Sequence, residues 1–220
     1  MVIEKYNMFN MSFATLVRFL SNFPVCLVLG TAILVISLAG FHNRGYVFRL
    51  FLHPVSIIRD RQYYRLFTSD LVHHNLFHLI LNEAMLFTYG GNLETHLNRK
   101  LSFGSIRFSA IYIFSCLFAS VFATIRNRRD FGYSSAGASG SIMGCLFGFT
   151  ILQPGMVAFA LPVVGNVTNL YFSLIVIIGV VVYRQRRNNE LLNHDLHFFG
   201  ALGGLVGTLI FCPGIIKWPG

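Results

Sequence analysis

Apolar residues run along this chain in long blocks, separated by short stretches where arginine, asparagine and glycine collect. A helix needs about 20 predominantly apolar residues to cross hydrocarbon, and six windows meet that requirement. They predict helices over about 23–41, 74–93, 103–125, 135–152, 165–183 and 195–211. Between the first two lies the only sizeable polar stretch, a loop over 42–73 that holds Arg44, Arg49, Arg59, Arg61 and Arg65. The fourth window closes at Pro154, whose missing N–H favours a break, and the sixth at Pro213-Gly214. The fifth lies within Phe159 to Tyr183, its start blurred by Pro162, Gly165 and Asn166. With no internal repeat, low-complexity tract or soluble domain, the pattern predicts one membrane domain over 1–220.

Composition sharpens this into an all-α polytopic membrane protein. The 220 residues are 55% hydrophobic and only 11% charged, against about one quarter charged in a soluble domain, and mean hydropathy is +0.63. The net charge of +9 raises nucleic acid as a partner. The arginines, however, sit in short clusters between apolar windows, where anchoring at a lipid interface explains them. The expected surroundings are a lipid bilayer, with no nucleic acid. Cys26, Cys116, Cys145 and Cys212 fall inside or at the edge of apolar windows without paired metal spacing, so they read as small core residues. No metal and no cofactor is expected. Lys5 and Arg18 precede the first window, but no small-residue cleavage site comes after it, so that window is expected to remain as a span.

Alternate spans cross in the same direction, so the N-terminal ends of windows two, four and six share one membrane face. His78 and Asn82, Ser139 and His197 all sit near those ends. A hydroxyl and an imidazole are the parts of a base-activated nucleophile. Ser139 lies in Gly137-Ala138-Ser139-Gly140, where glycines permit close backbone approach and a helix start offers amide donors to an oxyanion. Gly200 and Gly204 lie on one face of window six, a surface suited to bringing His197 against window four. His78 and Asn82 are i,i+4 neighbours and would both donate to a developing oxyanion; the plainer alternative is that they satisfy buried carbonyls. A metal pair of His74 and His78 is a further alternative, but it lacks a third ligand, because Glu83 is rotated away on the helix.

These motifs, in this order, resemble the rhomboid family of intramembrane serine proteases over almost the whole chain. Tyr64-Arg65 is similar to the family's first-loop signature and His78-Leu-Ile-Leu-Asn82 to its second-span pattern. Tyr89 to Glu94 is similar to its glycine-to-glutamate helix ending. Gly137 to Gly140 and His197-Phe-Phe-Gly200-Ala-Leu-Gly203-Gly204 are similar to the nucleophile and base motifs. The resemblance implies a six-transmembrane-helix rhomboid-like bundle with a Ser139–His197 dyad. His78, Asn82 and the Ser139 amide would stabilise the oxyanion, and Arg65 and Glu94 would be structural. It implies no carboxylate in the dyad, so Asp195 reads as an interfacial residue, and the rivals Ser141 and His194 do not match the pattern. Met143 departs from it, standing where many members carry an aromatic. The implied substrate is a single-span membrane protein cut in or near its transmembrane segment.

Two further points stay open in the sequence. The resemblance puts the dyad on the lumenal or exterior face, yet loops one, three and five carry eleven arginines against six Lys or Arg on the other face, which a positive-inside count reads the opposite way. Glycosylation at Asn10 or Asn166, both in N-x-Ser/Thr triplets on the face of the termini, would support the inverted orientation. The expected location is a secretory-pathway (ER/Golgi) or bacterial inner membrane. The alternative function is a catalytically silent rhomboid-like protein that binds membrane clients for retention or quality control. A small transporter, the third option, predicts repeat symmetry that the sequence lacks.

Overall fold

The computed structural model describes residues 17, 20–162, 165–186 and 194–215. Lys5, Asn10, Arg18 and Arg187 lie outside the described residues. Helix α1 covers Pro24–His42, and the first loop folds into the short helices α2 (Arg44–Val47), α3 (Pro54–Arg59) and α4 (Arg65–Thr68). The second segment is α5 (Leu76–Met85), a π-helical turn (Leu86–Gly90) and α6 (Gly91–Lys100). Next along the chain come α7 (Gly104–Arg126), α8 (Ser139–Leu152), strands β1 (Val157–Leu161) and β2 (Gly165–Thr168), α9 (Asn169–Arg186) and α10 (His194–Phe211).

The chain is mostly helical, with one departure from the all-α expectation: β1 and β2 form an antiparallel hairpin, so the fifth helix starts at Asn169 rather than near 165. Pro162 and Gly165, the latter at φ +83°, favour a reversal there instead of a helix start.

The six expected spans are not matched by six long helices. Among the described residues, α1 and α7 are long and apolar enough to cross a membrane by themselves. Helix α8 has 14 residues, hence about 21 Å at 1.5 Å per residue, short of the roughly 30 Å hydrocarbon layer. It is short because 135–138, expected to be helical, are not: Leu52 and Ser135 form an antiparallel bridge, and the Gly137 N–H donates to the Ser69 carbonyl at 2.9 Å.

Helix α8 is the centre of the bundle. Every residue from Gly140 to Thr150 is buried, so its apolar character all round is that of a core helix, and α7 and α10 flank it. Helix α1 buries only Cys26, Gly30, Ile33, Ser37 and Gly40, at helical 3,4 spacing. The outward faces stay apolar: Val28, Leu34 and Val35 on α1, Phe77, Ile80 and Leu81 on α5, and Leu174, Ile175 and Ile178 on α9 are exposed. Bands of this extent are costly in water and suited to lipid.

Two buried charges tie the elements together. Glu94, fully buried, accepts hydrogen bonds from the Val25 N–H (3.0 Å), the Cys26 N–H (2.8 Å) and the Ser105 hydroxyl (2.6 Å). It thereby caps the start of α1 from 69 residues away, where a carboxylate also meets the positive helix end. Arg65 donates to the Phe48 and Phe51 carbonyls (3.1 and 2.8 Å) and to Gln62 Oε1 (2.6 Å), knitting the first loop. Tyr64 is exposed, its ring 5.7 Å from the Arg65 guanidinium carbon. Glu94→Ala leaves two amides and a hydroxyl without their acceptor. Thermal unfolding in detergent is expected to show a loss of about 3–5 kcal/mol, with Glu94→Gln intermediate; an unchanged melting temperature would contradict the capping role.

Candidate functional site

Glycine sets the register between α8 and α10. A Cβ added at Gly200 would run into the Gly140 backbone, and one at Gly204 into the Gly144 backbone. At Gly148 it would meet Thr208 Oγ1 at 2.6 Å. Successive contacts advance by one turn on both helices, so α8 and α10 run parallel in direct contact. Ser139 is the first residue of α8 and is half-buried; His197 lies in the first turn of α10 and is buried. Between them, the Leu196 carbonyl, one residue before His197, faces Gly140, one residue after Ser139.

The turn before α8 brings in the second segment. Gly137 has φ +130°, a conformation few residues other than glycine adopt. A Cβ there would lie 2.6 Å from His78 Cε1 and 3.4 Å from Asn82 Nδ2. His78 and Asn82 thus lie against the turn that leads into Ser139, and the start of α10, with His197, lies beside the start of α8. The N-cap of α8, Ala138, supplies no side-chain cap, which suits the helix start to an incoming anionic oxygen.

Of the two rivals, Ser141 is engaged elsewhere, and the side chain of His194 lies outside those described. Ser141 is fully buried and donates to Asp70 Oδ2 at 2.7 Å. Asp195 pairs with the Arg126 guanidinium at 3.0 Å, joining the end of α7 to the start of α10. Met143 is buried in the core of α8. The His74 and His78 rings stack at 6.5 Å, and no group of three or more His, Cys, Asp or Glu placed to hold a metal occurs among the described residues. The four cysteines are free and buried.

Three side chains at the site escape periodicity. His73, in the first loop and 2% exposed, contacts Ser37, Asn82 and the Ala138 N–H. It precedes His78 by five residues, which is not a helix-face spacing, and its clustering with two other histidines is the one available signal. Ser37 looks like any small residue of an apolar span. Asp70 accepts from the Tyr112 and Ser141 hydroxyls, both at 2.7 Å; an acid at the edge of an apolar window was its only mark.

Asp70 and His73 belong to the first loop, and burial moves them in opposite ways. Burial raises Asp70 from the usual 3.8 to about 6, against the lowering effect of hydrogen bonds from Tyr112, Ser141 and Cys116. Burial first, then the imidazoles of His78 and His74, lowers His73 to about 3. The folded state therefore favours neutral Asp70, a contribution complete below about 3.8 and lost as pH rises through about 6. It also favours neutral His73, a contribution complete above about 6.5 and lost as pH falls toward 3. The two slopes oppose each other in the wild type, so a difference measurement isolates Asp70. Asp70→Asn is expected to melt close to wild type at about pH 4 and to be more stable by about 2–3 kcal/mol near pH 7.5. A pH-independent difference between the two proteins would refute this.

Comparison with known proteins identifies the family. A family profile, the rhomboid domain, matches residues 60–214, a span containing the whole site except Ser37. The chain belongs to the rhomboid family, a family of membrane proteins. It is 28% identical over 152 residues to the rhomboid protease GluP of Bacillus subtilis (strain 168), covering 69% of this chain and 26% of GluP. It is 27% identical over 149 residues to YdcA of the same organism, covering 68% of this chain and 67% of YdcA. The match therefore spans about a quarter of the first relative and about two thirds of the second.

Proposed function

We propose that this protein is an intramembrane serine endopeptidase working by a Ser139–His197 dyad, with six spans and a single-span membrane protein as substrate. The observation that carries this reading is the glycine register of α8 against α10, which leaves the N-terminal ends of both helices adjacent and both residues at those ends. His197 takes the Ser139 proton as the hydroxyl oxygen attacks the scissile carbonyl. The electron pair of the carbonyl moves to oxygen, where His78, Asn82 and the Ser139 amide donate to it. Collapse of the tetrahedral species breaks the C–N bond, and His197 returns the proton to the leaving amine. Water then repeats the sequence to release the acyl group. The rhomboid-domain match and the protease name of GluP support the same chemistry.

The half-buried position of Ser139, against the full burial of Ser141, supports the choice of nucleophile. Membership of the rhomboid family supports a membrane protein as the substrate, and the half-buried position of Ser139 at the start of a 14-residue helix, reached by a non-helical turn, supports its role as the residue open to that substrate. The test combines two measurements on purified protein in liposomes: cleavage of single-span substrates, and mass-spectrometric mapping of a fluorophosphonate adduct. Cleavage with the adduct on Ser139 is expected. Absence of both would favour the silent client-binding reading, and an adduct on another serine would overturn the assignment.

A further inference from the structure

The network around His73 carries an inference that rests on the protease reading and extends it to a residue outside the dyad and oxyanion set. Ser37 on α1 donates its single hydroxyl proton to the Leu71 carbonyl at 3.1 Å, and its oxygen lies 2.9 Å from His73 Nδ1. With that proton committed to Leu71, the hydroxyl can only accept from the ring, so Nδ1 carries the hydrogen and Nε2 keeps its lone pair. Asn82 faces Nε2 at 2.8 Å. A lone pair there requires a donor, so Asn82 turns its NH₂ toward His73, and its carbonyl oxygen points away. The Ala138 N–H, in the turn before Ser139, approaches the same nitrogen at 3.5 Å. Ser37 is fully buried, and His73 and Asn82 are nearly so, which leaves no bulk water to substitute for these contacts.

We propose that His73 is a positioning residue: held as its Nδ1–H tautomer by Ser37, it fixes the amide of Asn82 so that the second N–H of the same NH₂ is presented toward the carbonyl being attacked at Ser139. An amide is two-faced, and the opposite flip would offer an oxygen to the oxyanion, converting a stabilising donor into a repulsive acceptor. The groups facing His73 are Ser37 from α1, His78 and Asn82 from α5, Ala138 from the turn before α8, and His74 within its own loop. None is a carboxylate that would stabilise a charged ring, and the lowered affinity of His73 for a second proton agrees with the single tautomer.

A double-mutant cycle tests this, read as kcat and KM for cleavage of a single-span substrate in liposomes. His73→Phe is expected to lower kcat about 10²-fold, comparable to loss of one oxyanion donor, with KM within about threefold. On an Asn82→Ala background the same substitution is expected to change kcat less than about threefold, because its effect passes through Asn82. His73→Gln, whose carbonyl can reach the Nε2 position, is expected to recover activity to within about fivefold of wild type. Equal losses on both backgrounds, full activity of His73→Phe, or no recovery with Gln would each overturn the proposal. Should His73→Phe not fold, Ser37→Ala replaces it in the cycle: an about fivefold loss confined to the Asn82 background supports the proposal, and equal losses on both defeat it. Independent of activity, ¹⁵N-histidine spectra are expected to show His73 as the neutral Nδ1–H tautomer from about pH 5 to 8; the Nε2–H form or a charged ring is contrary to it. A wild type that neither cleaves substrate nor is labelled at Ser139 fails the protease reading alone, with the tautomer still decided by the spectra.

Discussion

Ser139→Ala is expected to lower kcat for single-span substrates by about 10⁴-fold or more while leaving the melting temperature nearly unchanged. The substitution removes one half-buried oxygen at a helix start and opens no cavity, so stability and activity separate cleanly. His197→Ala is expected to reach the same residual rate, and the double variant no lower one, because the proposed nucleophile and base act as a unit. His197 is buried, so its truncation adds a stability cost of about 1–2 kcal/mol, which melting curves resolve from the kinetic effect. Ser141→Ala provides the converse result. It is expected to keep most of the activity and to lose stability, since Asp70 forfeits one of its hydroxyl donors. Cleavage by Ser139→Ala at more than about one per cent of the wild-type rate would sink the dyad.

The contrast between Ser139 and Ser141 also shows what hydropathy and spacing can convey. Both serines sit in one glycine run, and motif order alone favoured Ser139; burial of Ser141 against Asp70 supplies a physical reason that no one-dimensional pattern contains. The long apolar helices were legible because hydrophobic windows over 23–41 and 103–125 leave little else for α1 and α7 to be. The start of α8 was not legible. Residues 135–138 are uncharged and merge into the apolar run of α8, and pairing with the first loop, a non-local hydrogen-bond choice, keeps them out of the helix. The β1–β2 hairpin was hidden for a similar reason, although Pro162 and Gly165 marked the place. Glu94 was readable as a structural charge, but not that it caps a helix 69 positions upstream. His73 lay beyond reach because its role depends on Ser37 and Asn82 from two other segments.

Gly200→Ala is expected to be a severely damaging single-methyl change, costing both activity and stability. The added Cβ meets the carbonyl and Cα of Gly140, and backbone cannot rotate aside as a side chain would, so α10 must move off α8 by on the order of 1 Å. His197 sits three residues before Gly200 and Ser139 one residue before Gly140, so the displacement falls where the proposed mechanism passes the proton. Misplacement of that size costs about 10²-fold in kcat, and overpacking costs about 1–3 kcal/mol in stability. Gly204→Ala strikes the Gly144 backbone in the same way, one turn further from the dyad, and is expected to match the stability loss with a smaller kinetic one. Gly207→Ala supplies the control on the other face of α10, where the nearest neighbour is the Phe114 ring at 3.3 Å; a side chain can yield, and kcat is expected to stay within about threefold of wild type. Melting curves and single-turnover cleavage of the three variants decide the matter. A Gly200→Ala enzyme that melts lower yet cleaves at the wild-type rate would show that the contact supports the bundle without aligning the dyad, because stability and alignment fail together only if the glycine register sets the distance between hydroxyl and imidazole.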